Sequence, residues 1–173
     1  MQRLILLRHA KAAAHAGGGD SERPLTGRGH KDATRVGLYL RAQSLLPDMA
    51  IVSHARRTRE TLDRVLEATG DGIPINVEPR LYHADPLILI SSIRDVPART
   101  HLLLVVGHNP GLGDLARELV GFGDRYARKR LDDGFPTSSL AVIDFDGDGW
   151  TGVDIGKGRL DRFITPEDLP AED

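Results

Sequence analysis

Two short runs of purely apolar residues, LILL (4–7) and LLLVV (102–106), constrain the fold more than any other feature of the chain. Successive side chains of a strand point to opposite faces of its sheet, so a run with no polar residue leaves neither face suited to water. Each run therefore reads as a strand covered on both sides, the situation of a parallel sheet between helical layers. Neither approaches the ~20 residues that cross a bilayer, and the first is too short for a signal-peptide core.

The intervening segments supply the layers. Thr26 can cap a helix that carries Ala33, Val36 and Leu40 at helical spacing and stops before Pro47. MAIVS (49–53) is a second strand, followed by a helix that places Leu62, Val65 and Leu66 on one face and stops at Gly70. INVEPRLY (75–82) holds a third strand and its exit, and Pro86 opens a further helix. HLLLVVGH (101–108) is the fourth strand, and the helix after it is expected to run through NPGLGDLARELVGFG (109–123). SSLAVIDFDGDGWTGVDIGKG (138–158) reads as two strands joined by a Gly/Asp turn. The expected fold is α/β: a three-layer sandwich with a mostly parallel sheet flanked by helices and a hairpin late in the chain.

At 173 residues the chain suits one domain, placed at 1–165, with an acidic tail at 166–173 expected to fray. The formal net charge of -2 gives no domain-wide positive field, which argues against nucleic-acid or membrane-surface partners. There is no cysteine, which excludes thiol catalysis and disulfides. No spacing of metal ligands stands out, and neither metal nor cofactor is expected. A soluble cytoplasmic protein is the expectation.

Ligands of open α/β sheets bind beyond the carboxyl ends of the strands. Arg8 and His9 follow the first strand; Ser53, His54, Arg56 and Arg57 the second; Tyr82, His83 and Asp85 the third; His108 and Asn109 the fourth. Two arginines, two histidines and a helix start would thus converge on one anion. Imidazole can attack phosphorus without a metal while arginines neutralise the transferring group.

The segments LLRHAK, RPLTGRG, SHARRTRETL, LYHAD and GHNPGL, in this order, resemble the histidine phosphatase superfamily, which also contains the phosphoglycerate mutases. Within it the chain looks most like SixA-type phosphohistidine phosphatases. The resemblance implies a phosphoglycerate mutase-like fold and catalytic roles for His9, His108, Arg8 and Arg57. His9 would be the nucleophile, carrying a transient phosphohistidine. Arg8 and Arg57 would bind the phosphoryl oxygens, His108 would be the second active-site histidine, and Thr26 and Asn109 would support substrate binding. Arg57 rather than Arg56 has the family spacing from Ser53. Larger members place a glutamate general acid near the exit of the third strand; here Glu78 comes too early, and Tyr82, His83 and Asp85 stand in the region without one of them being singled out.

The implied substrate is phosphohistidine on a protein. The alternatives are a small phosphorylated molecule hydrolysed on the same scaffold and a non-catalytic phosphoprotein-binding module. The basic cluster Arg125–Arg130 reads as a solvated helix face, with a docking patch for an acidic partner as its alternative. Asp144, Asp146 and Asp148 open like a calcium loop, but its twelfth position is Ile155, so a hairpin turn is expected there.

Overall fold

The computed structural model describes residues 1–70 and 72–171. Seven strands form one sheet: β1 (Gln2–Arg8), β2 (Met49–Val52), β3 (Ile75–Val77), β4 (Leu102–Gly107), β5 (Val120–Gly123), β6 (Leu140–Phe145) and β7 (Gly158–Ile164). Their order is β3-β2-β4-β1-β6-β7-β5. The half from β3 to β1 is parallel, β6 runs antiparallel to β1 and to β7, and β5 is parallel to β7. The helices are α1 (Gly27–Ala42), α2 (Arg56–Thr69), α3 (Pro86–Arg94), α4 (Gly111–Leu119) and α5 (Arg125–Asp133).

The two apolar runs are central, as their composition demands. Ile5, Leu7, Leu104 and Val106 pack with Val36 and Leu40 of α1 and Leu62 and Val65 of α2. Leu4, Leu6, Leu103 and Val105 pack on the opposite face with Leu89 and Ile93 of α3, Leu112 and Leu115 of α4 and Leu131 of α5. Alternate residues of one strand thus feed two cores, the period-2 rule acting in both directions. Burying a Leu or Val side chain contributes about 1.5–3 kcal/mol, so these positions carry the three-layer arrangement.

Three expectations are corrected. The helix after β4 stops at Leu119, and Val120–Gly123 becomes an edge strand. Gly121 and Gly123 are poor helix formers, and Gly123 takes φ +128. The strand pairing with β6 is Gly158–Ile164 rather than a segment around Trp150. Trp150 and Val153 are buried in the core instead, with Trp150 Nε1 donating to the Thr100 carbonyl at 2.8 Å. The start of the 166–173 tail is packed rather than frayed. Pro166–Asp168 forms a helical turn, Leu169 is buried, and Arg35 donates to the carbonyls of Pro166, Leu169 and Pro170. Positions 172 and 173 lie outside the described residues. Among the described residues no helix is long and apolar enough to cross a membrane.

Candidate active site

His9 and His108 are 99 positions apart in sequence, yet the sheet makes them neighbours. In the parallel register Arg8 pairs with Gly107, so the next residue on each strand leaves the sheet at the same point. The His9 N–H donates to the Gly107 carbonyl at 3.1 Å, and the two imidazole centroids lie 5.4 Å apart. Ser53 leaves β2 alongside them, its N–H donating to the Val106 carbonyl at 3.2 Å. Arg57 enters from the first turn of α2 and is 4% exposed, whereas Arg56 faces solvent beside Glu60. Thr61 ties these parts together: its hydroxyl accepts from the Ala10 N–H at 3.0 Å and donates to the Arg57 carbonyl at 2.7 Å.

A pocket of about 340 Å³ opens here, with Arg8, His9, Asp20, Arg23, Arg57, His83, His108 and Asn109 in its wall. His9 Nδ1 lies 2.7 Å from the Ala10 carbonyl oxygen, which can only accept. Nδ1 therefore carries the hydrogen, and the lone pair of the neutral ring sits on Nε2. Burial, with the charges of Arg57, Arg8 and Arg23 adding to it, lowers the His9 pKa to about 4. Burial, then Arg57 and His9, lowers that of His108 to about 3. Both rings are neutral at pH 7.

Several nitrogens of the cluster are left over. Arg8 donates from Nη1 to the Phe135 carbonyl at 3.0 Å, and Arg57 donates from Nη1 to the Asp20 carbonyl at 2.8 Å and from Nη2 to its carboxylate at 3.2 Å. His108 Nε2 is 2.8 Å from Ser53 Oγ. Arg8 Nε, Arg57 Nε and His108 Nδ1 are buried and find no partner among the described residues. Leaving a buried polar group unpaired costs about 1–3 kcal/mol, more if charged, and such a cluster points to an anionic ligand.

Two expected substrate contacts are spent elsewhere. Thr26 caps α1: its hydroxyl accepts from the Gly29 N–H at 3.0 Å and donates to the Lys11 carbonyl at 3.2 Å, and the residue is not in the pocket wall. Asn109 lines the pocket, but its amide donates to the Phe135 carbonyl at 2.9 Å and accepts from the Gly113 N–H at 3.0 Å. The Leu112 N–H is likewise taken by the His108 carbonyl, so these two amides at the start of α4 are not free for an anion.

Asp20 is the residue that the strand-end rule misses, because it sits in the glycine-flanked loop after β1. It holds both Nη atoms of Arg57, accepts from Arg23 Nε at 2.9 Å and accepts the Tyr82 hydroxyl. The Tyr82 hydrogen bond, with Arg57 and Arg23 adding to it, keeps its carboxyl ionised far below the usual range. Asp85 is the cap of α3, accepting from the Ile88 N–H at 3.1 Å, and Glu78 is paired with Arg80.

The buried histidines set a stability prediction. Their ordinary pKa of 6.5 applies to the unfolded chain, and both fall on folding. Below pH 6.5 the unfolded chain takes up protons that the folded one refuses. Stability complete above that pH is therefore lost as pH falls toward 4, by up to about 1.4 kcal/mol per pH unit for each histidine. Thermal unfolding followed from pH 7 to 4.5 should show a falling midpoint, with a shallower slope in His108→Ala. An unchanged slope would contradict the shift at His108.

Residues 4–85 match the histidine phosphatase superfamily (branch 1). An uncharacterized protein of Mycobacterium tuberculosis strain H37Rv is 37% identical over 162 residues, covering 92% of this chain and 99% of its own. The Agrobacterium tumefaciens protein assigned as the phosphohistidine phosphatase SixA has a TM-score of 0.80 at 31% identity, covering 95% of this chain and 98% of that one. The tungstate complex of the protein histidine phosphatase SixA has a TM-score of 0.79 at 24% identity, over 96% and 99% of the two chains, and shares the fold. With relatives of this similarity spanning almost its full length, the chain belongs to the histidine phosphatase superfamily as a SixA-type member.

Proposed function

We propose that this phosphatase hydrolyses phosphohistidine on a protein through a phosphoenzyme formed on His9. The observation that carries this is the convergence of Arg8, Arg57 and His108 on one pocket wall with His9, whose lone pair is fixed on Nε2, while Arg8 Nε, Arg57 Nε and His108 Nδ1 find no partner among the described residues. His9 Nε2 attacks phosphorus and forms a P–N bond as the bond to the leaving group breaks, its electron pair going to the leaving atom. Water then attacks the phosphoenzyme, releasing phosphate and restoring His9. The arginines neutralise the equatorial oxygens. His108 donates to them from Nδ1 while neutral if Ser53 donates its hydroxyl hydrogen to Nε2; Ser53 Oγ in turn accepts from the Ala55 N–H at 3.3 Å.

Two features support a phosphohistidine substrate. Its relatives include proteins assigned as phosphohistidine phosphatases. Beside the pocket, sharing Lys11 and Thr137 with it, lies a cavity of about 630 Å³ walled by Arg28, Asp133, Phe163 and Glu167, with room for the rest of a substrate. The test is kcat/KM for a phosphohistidine protein, an aryl phosphate and a sugar phosphate on one preparation. The phosphohistidine protein should give the highest kcat/KM of the three. A sugar phosphate that matches the others would favour a small-molecule phosphomonoesterase.

Two further outcomes follow. Arg8 and Arg57 supply the positive charge and neutral His108 a hydrogen bond, so activity should survive exhaustive chelation; loss restored by a divalent ion would place the reaction in another class. Asp20→Ala should lower kcat/KM about tenfold or more, since Arg57 loses a charged partner that aims it. Unchanged steady-state kinetics would remove Asp20 from the site's machinery.

A further inference from the structure

The reaction proposed above leaves two proton transfers unassigned: the departing nitrogen or oxygen must receive a proton, and the attacking water must lose one. We propose that the His83 side chain shuttles both, as the general acid and then the general base of the site. This rests on the phosphatase reading and names a residue for a step that reading leaves open.

The pocket wall itself narrows the choice. His9 is the attacking group, and His108 is buried with Nε2 engaged by Ser53. Asp20 is surrounded by the donors Arg23, Arg57 and Tyr82, and the Tyr82 hydroxyl is already committed to Asp20. Asp85 and Glu78 are tied to the Ile88 and Arg80 backbone N–H groups. His83 is in the wall and also solvent-exposed, so it can reach a bound leaving group and exchange its proton with water.

The chain is also built to hold it there. His83 has φ +56, a left-handed conformation uncommon outside glycine, which persists where the surroundings over-determine it. Both flanks are pinned: the Tyr82 N–H donates to the Pro79 carbonyl at 3.1 Å and the Ala84 N–H to the Leu81 carbonyl at 3.3 Å. Asp85 starts α3, and the Ala84 carbonyl sits so close to Gly111 that a Cβ there would meet its oxygen at 2.0 Å. The glycine at the start of α4 thus lets the His83 turn dock beside the loop that carries His108. The His83 ring packs on Tyr82 at 4.0 Å between centroids, and Tyr82 packs on His108 at 5.4 Å.

The step balances. Protonated His83 gives its proton to the leaving atom as the bond to phosphorus breaks, and neutral His83 takes a proton from water as that oxygen attacks the phosphoenzyme.

The experiment compares the parent with His83→Gly and His83→Asn, both of which accept the left-handed backbone. The ratio kcat/KM, which reports the phosphorylation of His9 alone, is measured for a series of aryl and alkyl phosphates of rising leaving-group pKa. Little change is expected with the most acidic phenol, a loss of 10²–10⁴-fold with the alkyl phosphate, and partial, saturable rescue of His83→Gly by added imidazole. Equal losses across the series, or no loss at all, would overturn the assignment while leaving the phosphatase reading intact. A parent that turns over none of the series and no phosphohistidine protein would overturn that reading instead.

Discussion

Replacing His9 with Ala is expected to abolish turnover, by at least about three decades, while the fold survives. A general phosphate-binding role would predict a much smaller loss, because Arg8, Arg57 and His108 would still hold the anion. A nucleophile has no substitute: the other pocket imidazole nearest the cluster, His108, is held by Ser53 and sits at the end of a different strand. The fold should tolerate the change because the His9 side chain makes one local hydrogen bond, to its own neighbour Ala10, and borders a pocket rather than the packed cores. Steady-state assays on an aryl phosphate together with a thermal unfolding curve check both halves. A folded His9→Ala protein with near-parent activity would remove His9 from the chemistry.

Arg57→Ala is expected to cost two to three decades in kcat/KM, whereas Arg56→Ala should cost little. A charged hydrogen bond that strengthens in the transition state is worth roughly 2–4 kcal/mol. Arg57 is buried in the pocket wall with Nε unpaired, the position from which such a bond is made. Arg56 is exposed and pairs with Glu60 one helical turn on, an arrangement worth about 0.3–0.5 kcal/mol of stability and nothing at the pocket. Parallel kinetics on the two variants decide the matter, and a larger loss for Arg56→Ala would contradict the register of α2.

The parts of the site that follow from backbone geometry were legible in the sequence. Buried parallel strands show as unbroken apolar runs, and their carboxyl ends fall at the same edge of the sheet. Arg8, His9, Ser53 and His108 were therefore placed together from position alone, while Arg57 was separated from Arg56 only by the resemblance to the histidine phosphatase superfamily, through its spacing from Ser53. Less legible was residue chemistry that serves two ends. Thr26 and Asn109 have hydroxyl and amide groups fit for a substrate, but each stands at a helix start, where capping claims the same atoms. Asp20 had no positional signal, since its loop is shaped by contacts with Arg57 and Tyr82 from distant elements. The edge strand β5 was hidden because Val120 and Phe122 continue the apolar run of α4, although Gly121 and Gly123 favour ending the helix and pairing with β7 takes the segment up. The span around Trp150 carries strand-forming residues, yet burial of Trp150 and Val153 won over pairing.

The central claim is a covalent intermediate on His9, and trapping it is the most direct measurement. The enzyme is mixed with a protein carrying labelled phosphohistidine and quenched on the millisecond scale. The account predicts an acid-labile, base-stable label on the parent, mapped to the peptide containing Arg8–Lys11, and no label on His9→Ala. Label on a peptide that lacks His9, or equal labelling of His9→Ala, would contradict it.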